Sequence, residues 1–275
     1  MPGYKITVGN CEIISLTDAH MQFPWVMFFV GIPLEELETY RDIYPACWGD
    51  RGFATDAGAY AVLTAGKTIL VDTGIGPGPI SELGGVQGSM LDDMRAKGIS
   101  PAGVEIVVHT HLHFDHVGWN FVEGKPTFPN ATHYAPEADI AYFSEHRAPN
   151  PQFEAQVEPL LKLGMLKGFS GEMTLAPGVS TIPTPGHTPG HSSVLAGSGG
   201  DFAIITGDLA HHPAQVDRTE WSPGWEHDPA RSAESRRQIV ERLEREGGIG
   251  AFCHFPGEGF GRIVRKGNRR VFQAL

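Results

Sequence analysis

The chain has 275 residues, 41% of them hydrophobic and 19% charged, enough apolar material for a sizeable core and no match for a disordered chain. A formal charge of −11 speaks against a nucleic-acid ligand, which usually needs a basic face. Cys11, Cys47 and Cys253 are odd in number and widely spaced, so neither a disulfide framework nor a C-x-x-C metal knuckle follows from them.

The start of the chain lacks the apolar region of a signal peptide, and no run approaches about 18 apolar residues, so no membrane association is expected and the protein reads as cytoplasmic. No internal repeat stands out, and the length is compatible with one domain over 1–275. Residues 4–17 show the imperfect alternation of strand material, with Ile6, Val8, Cys11, Ile13 and Leu16 apolar. Phe23 to Val30 is strongly apolar but broken by Pro24, which leaves two readings, a core strand or a hydrophobic lid. A short helix is expected over Leu34 to Tyr40. A hairpin follows over 59–64 and 68–71, turned at Ala65-Gly66-Lys67, and its second strand runs into Asp72-Thr73-Gly74.

Met90 to Lys97 reads as a helix closed by Gly98, and Val104 to Val108 as a short strand. Beyond it come a helix around Pro136–His146, strands around Val179–Ile182 and Phe202–Thr206, and a Pro/Gly loop from Thr184 to Gly190. Asp228 and Pro229 suit the N-cap and first position of a helix reaching about Glu246, stopped by Gly247-Gly248. A last strand, Gly250–Cys253, delivers His254. Several of these strands are followed within a few residues by His or Asp, as in sites built from loops at one rim of a rigid sheet.

The densest chemistry is His111-x-His113-x-Asp115-His116, four metal donors in six residues directly after an apolar strand. Residues two apart in an extended segment project to the same side, so His111 and His113 can share one ion. Asp115 and His116 lie past the bend and can face a second. His187 sits in the tight loop, and Asp208 and His254 each follow a strand end. Taken together, His111, His113 and His187 make a three-histidine site and Asp115, His116 and His254 a second, with Asp208 able to bridge them. Imidazole and carboxylate donors imply two divalent cations, zinc foremost, with Mn, Co and Fe(II) also accepted by such ligands.

This H-x-H-x-D-H run, followed by separated His, Asp and His residues, resembles the metallo-β-lactamase superfamily from Asp72 to His254. The resemblance implies an α/β (α+β) fold, a four-layer αββα sandwich of two mixed sheets flanked by helices, with a dinuclear site along one edge. It also implies that Asp72, outside the ligand set, hydrogen-bonds a ligand histidine and fixes its ring. His109 and His191 are expected to be structural.

Asp208 stands where lactamases with a cysteine ligand have Cys, and His113 where flavodiiron-type redox members have Glu. Glyoxalase II-like thioesterases share the Thr-Pro-Gly-His-Thr-Pro-Gly-His loop but add a helical region for which the chain after Asp208 leaves little room, and the acidic balance disfavours ribonuclease Z-like members. The chain is most similar to the compact branch of acyl-homoserine lactonases and methyl-parathion hydrolase, on Gly207-Asp208 through Gln215, the Asp228-Pro229 helix and His254-Phe-Pro-Gly-x-Gly259.

That likeness implies a small-molecule ester, lactone or organophosphate as substrate and a metal-bridging hydroxide as nucleophile. Asp115 or Asp208 would carry protons, and His211 would help at the developing oxyanion. His211 stands where several lactonases have a Tyr, as in phosphotriesterase-like members. The alternatives to a quorum-quenching lactonase are a phosphotriesterase, a phosphodiesterase, nuclease or thioesterase of the same superfamily, and a non-catalytic metal binder. Phe23, Trp25, Phe28, Trp119, Phe121 and Trp221 are candidate pocket aromatics that fit equally as core. A homodimer through the apolar N-terminal segment rests on the resemblance alone.

Overall fold

The computed structural model describes residues 3–50, 52–145 and 151–275. Residues 4–17 are not one strand. Lys5–Val8 and Cys11–Phe23 form an antiparallel hairpin turned at Gly9, whose φ of +55° favours glycine. The expected hairpin over 59–71 is present, its first strand beginning earlier, at Gly52.

The first sheet runs from edge to edge through Lys5–Val8, Cys11–Phe23, Gly52–Thr64, Lys67–Val71, Ile106–Val108, Thr132–Pro136 and Leu166–Phe169, with Trp48–Gly49 paired on the third. The second runs through Thr174–Ala176, Val179–Pro183, Ser192–Ser198, Asp201–Ile205, Ile249–Ala251, Phe260–Lys266 and Arg269–Ala274. Both are mixed: the first has three parallel pairings, and Asp201–Ile205 runs parallel to Ile249–Ala251 in the second.

The faces of the sheets pack on each other. Ile13, Tyr60, Val62, Ile69, Val71 and Val108 of the first meet Val179, Val194, Ala203, Ile205, Ala251 and Phe260 of the second in one buried cluster. On its outer side the first sheet is covered by Met90 and Met94 of the helix Met90–Ala96. The second is covered by Ile239, Val240 and Leu243 of the helix Pro229–Glu246. Helix, sheet, sheet and helix are the four expected layers. Asp228 caps the last helix, accepting the Arg231 N–H at 3.0 Å, and Gly247 closes it at φ +68°. The expected helix over 136–146 spans Glu137–Glu145, and His146 lies outside the described residues.

Phe23 to Val30 is not a core strand. Pro24 cannot donate to a ladder, and the chain leaves the sheet there for a single helical turn, Trp25–Phe28. That turn buries Phe28 and, just after it, Phe29, and leaves Val26, Met27 and Val30 exposed. No helix among the described residues is long and apolar enough to cross a membrane.

Candidate metal centre

The site sits where strands of both sheets end. Past Ile106–Val108 the chain delivers His111, then His113 at the N-cap of a one-turn helix, Phe114–Val117, that carries Asp115 and His116. The loop after Val179–Pro183 supplies His187, and the ends of Asp201–Ile205 and Ile249–Ala251 supply Asp208 and His254. Two glycines let these loops close. A side chain on Gly186 (φ +136°) would meet the Ser232 backbone at 2.1 Å, and one on Gly207 (φ +56°) would strike His191 and Thr110 at 2.8 Å.

All seven expected ligands converge. His113 Nδ1 lies 3.0 Å from His111 Nε2 and 2.9 Å from His187 Nε2. Asp208 divides its oxygens between two groups. Oδ1 lies 2.9 Å from His116 Nε2 and 2.8 Å from His254 Nε2, while Oδ2 lies 3.0 Å from His187 Nε2 and 3.5 Å from His111 Nε2. Asp115 Oδ2 stands 3.8 Å from His116 Nε2 and 3.7 Å from His254 Nε2. Cys253, not foreseen at the site, brings its thiol to 3.9 Å from Asp208 Oδ1 while donating to the Gly207 carbonyl at 3.6 Å.

The far nitrogens of these rings show why the donors fit a cation. His116 Nδ1 donates to Asp72 Oδ2 at 2.9 Å and His254 Nδ1 to the Asp56 carbonyl at 2.7 Å. Thr110 Oγ1 donates to Asp72 at 2.8 Å and so accepts from His111 Nδ1 at 3.0 Å. Each proton is spent outward, and the electron pairs on Nε2 converge inward. Buried His116 Nε2 has no hydrogen-bond partner among the described residues. Such a ring of lone pairs around a carboxylate repels itself unless positive charge sits among them.

Charge preferences agree. Burial works against a charge on His187, but the Asp208 and Glu226 carboxylates outweigh it and raise its pKa to about 9. His254 and His116 are likewise pushed well above the ordinary histidine value, against burial; Asp208 is a main cause for both, joined by Cys253 for His254 and by Asp72 for His116. Burial and neighbouring rings push His111 and His113 well down.

Asp72 stands at the end of its strand, beside His116. It turns at φ +63°, a left-handed conformation, and its carboxylate gathers Thr110 N at 2.8 Å, Thr110 Oγ1 and His116 Nδ1. His191 accepts the Asp208 N–H at 3.0 Å and donates to the Thr184 carbonyl, and His109 Nδ1 faces the His116 carbonyl at 3.2 Å, so each contacts a residue of the donor set through the backbone. His211 points at the centre, its Nε2 3.1 Å from Asp208 Oδ2, and burial lowers its pKa, which keeps the ring neutral.

The aromatic candidates divide. Phe23 lines a cavity of about 670 Å³ whose walls include Thr55 and Asp56, the residues that hold His254. Phe28 packs its edge on His211 at 6.1 Å between centroids. Trp25 packs against Trp48 and Phe53, and Trp221 against Phe29 and Tyr40, in tilted or edge-on contacts. Trp119 is a buried residue beneath the first sheet whose indole donates to Asp18 at 2.9 Å, which removes it from the pocket. Phe121 packs on the cluster around Leu112 and Phe153.

Over residues 55–254 the chain matches the family model of the metallo-beta-lactamase superfamily. It is 33% identical over 161 residues to the N-acyl homoserine lactonase AttM of Rhizobium radiobacter, a match covering 51% of this chain and 56% of that protein. It is 26% identical over 211 residues to an N-acyl homoserine lactonase of Bacillus thuringiensis, covering 71% and 79%. The chain thus spans little more than half the length of the first of these relatives.

In fold it is similar to a hydrolase of the beta lactamase superfamily, AbOPH, with a TM-score of 0.87, 24% identity and coverage of 99% and 97%. It is also similar to AidC, a dizinc quorum-quenching lactonase, with a TM-score of 0.84, 22% identity and coverage of 98% and 96%. The chain belongs to the metallo-beta-lactamase superfamily.

Proposed function

We propose that the chain, as one domain over 1–275, is a hydrolase that holds two divalent cations, zinc foremost, and opens lactones of the acyl-homoserine type. The observation that carries the reading is Asp208, one carboxylate whose Oδ2 sits with His111, His113 and His187 and whose Oδ1 sits with His116 and His254. Cations bound there would supply Lewis acidity and a water that ionises near neutral pH.

The chain's own groups supply the rest. Asp115 Oδ2 is close enough to the second group to receive a proton and pass it to a leaving alkoxide. His211, whose Nε2 lies 3.1 Å from Asp208 Oδ2, would in its Nε2-protonated tautomer donate to an oxyanion forming beside Asp208. The cavity that reaches Thr55 and Asp56 offers an acyl chain an apolar wall of Met21, Phe23, Pro24, Met27, Leu83 and Val86, beside the polar groups of His20 and Gln22. The lactonase relatives support the substrate class.

Phosphotriester hydrolysis is the second reading, favoured by a histidine at 211 packed against Phe28 and Trp225. The test is turnover by metal-loaded protein of an acyl-homoserine lactone, a neutral aryl phosphotriester and a bis-aryl phosphodiester. Lactone opening is expected to be fastest, and turnover of the phosphodiester alone would overturn both readings.

A further inference from the structure

Arg236 lies midway along the helix Pro229–Glu246 and is wholly buried. It occupies the apolar stripe with Ile239, Val240 and Leu243, at the i, i+3, i+4, i+7 spacing of one helix face. A guanidinium is stable in such a place only when its charge and its donors find partners. All five of its N–H groups are used. Nε donates to the Leu209 carbonyl at 2.6 Å, Nη1 to the carbonyls of Thr219 and Trp221 at 2.7 and 2.8 Å, and Nη2 to Glu226 Oε1 at 3.0 Å and Ser232 Oγ at 3.1 Å.

The carboxylate it pairs with faces the metal centre. Glu226 Oε2 lies 3.3 Å from His187 Nδ1, and neither atom has a hydrogen-bond partner among the described residues. Both side chains are buried, so each depends on the other for its polarity. Leu209, held by the same guanidinium, directly follows Asp208. The two residues leading into the helix also grip the His187 loop through the backbone: the N–H groups of His227 and Asp228 donate to the carbonyls of His187 and Gly186 at 3.1 and 2.8 Å.

We infer that Glu226 is a positioning residue that takes the Nδ1 proton of His187, leaving Nε2 to face the cation, and that Arg236 holds Glu226 and the 209–226 loop in register with Asp208. The inference rests on His187 being a metal ligand. Without an acceptor behind it the imidazole adopts either tautomer, and only one presents an electron pair to the ion. The 209–226 loop also carries His211 and Trp225, whose indole nitrogen lies 3.5 Å from His211 Nε2, so the group that aims a ligand also sets the wall over the site. Lysine, with its donors on one nitrogen, cannot span these partners.

The test is chelator competition on the full zinc-loaded chain, wild type against Glu226→Gln. One of the two ions is expected to be held roughly 10–100-fold more weakly, the usual effect of losing a ligand's supporting partner, while the other is unchanged. Equal affinities in both chains, or equal losses at both positions, would overturn the inference. Should Glu226→Gln not fold, the wild-type protein provides the second measurement. Nitrogen-15 NMR of its histidines in the zinc-loaded state is expected to show His187 protonated at Nδ1, with a slowly exchanging proton. A His187 proton on Nε2, or one exchanging as fast as an exposed imidazole, would contradict it. Wild-type chain that takes up no cation would instead overturn the metal reading on which the inference stands, a result distinct from equal affinities.

Discussion

Asp208 is the residue on which both halves of the centre depend. Asp208→Ala removes an oxygen from each group and leaves His116, His187 and His254 without the carboxylate that draws positive charge to them. Metal content measured by elemental analysis should fall, and turnover with it; full metal and full activity would contradict the bridging role. His211→Phe makes a different prediction, since His211 touches Asp208 but belongs to neither donor group. The rate constant kcat should drop by about 10²–10³-fold with metal content unchanged, as when one oxyanion donor is removed, and an unaltered kcat would make His211 a bystander. The ligand set was legible because His and Asp are hard to explain as packing at that density. Glu226 and Arg236 were not read from the sequence, since a Glu in a loop and an Arg in a charge-laced helix look solvated. The available signal was that Arg236 shares the spacing of Ile239, Val240 and Leu243.

At the level of elements, the loops that carry ligands are anchored by caps and clamps. Asp228→Ala removes the side-chain acceptor at the start of the helix Pro229–Glu246 and should cost about 1 kcal/mol, read as a lower denaturant midpoint with unchanged slope. Asp139 clamps the end of the His187 loop, accepting from Thr188 Oγ1 at 2.8 Å and Gly190 N at 2.6 Å. Burial raises its pKa from 3.8 to about 6, against those hydrogen bonds. The folded state therefore holds this proton more tightly than the unfolded chain, and the contribution to stability is largest below pH 3.8 and lost as pH rises through about 6. The loss is at most on the order of 3 kcal/mol. In metal-free protein, the unfolding free energy of Asp139→Asn should gain on that of the wild type between pH 4 and 7, and a constant difference would contradict the buried-acid assignment. The hairpin over 59–71 and the capped helices were legible because their turn and cap residues are distinctive. Phe260–Lys266 and Arg269–Ala274 were missed because Arg262, Arg265, Lys266, Arg269 and Arg270 interrupt the apolar pattern. Ser192–Ser198 was missed because its small residues carry little pattern at all.

For the whole molecule, two sheets packed face to face put strand ends from both at one rim, so the donor residues bring distant parts of the chain to one place. A cation that binds only the folded state stabilises it by mass action, about 2.7 kcal/mol at 100 times its Kd. Chelation should accordingly lower Tm, and adding zinc should restore it in a concentration-dependent way; a Tm indifferent to both would separate the metal from the fold. The layers followed from the resemblance, but the sheet order could not be read from short strands, since pairings such as Asp201–Ile205 with Ile249–Ala251 join segments far apart in sequence. The most direct measurement is a titration of exhaustively chelated chain with zinc, following the opening of an acyl-homoserine lactone. Activity is expected to be absent at the start and to rise until two equivalents are bound. Full lactone turnover by the metal-free chain would contradict the account.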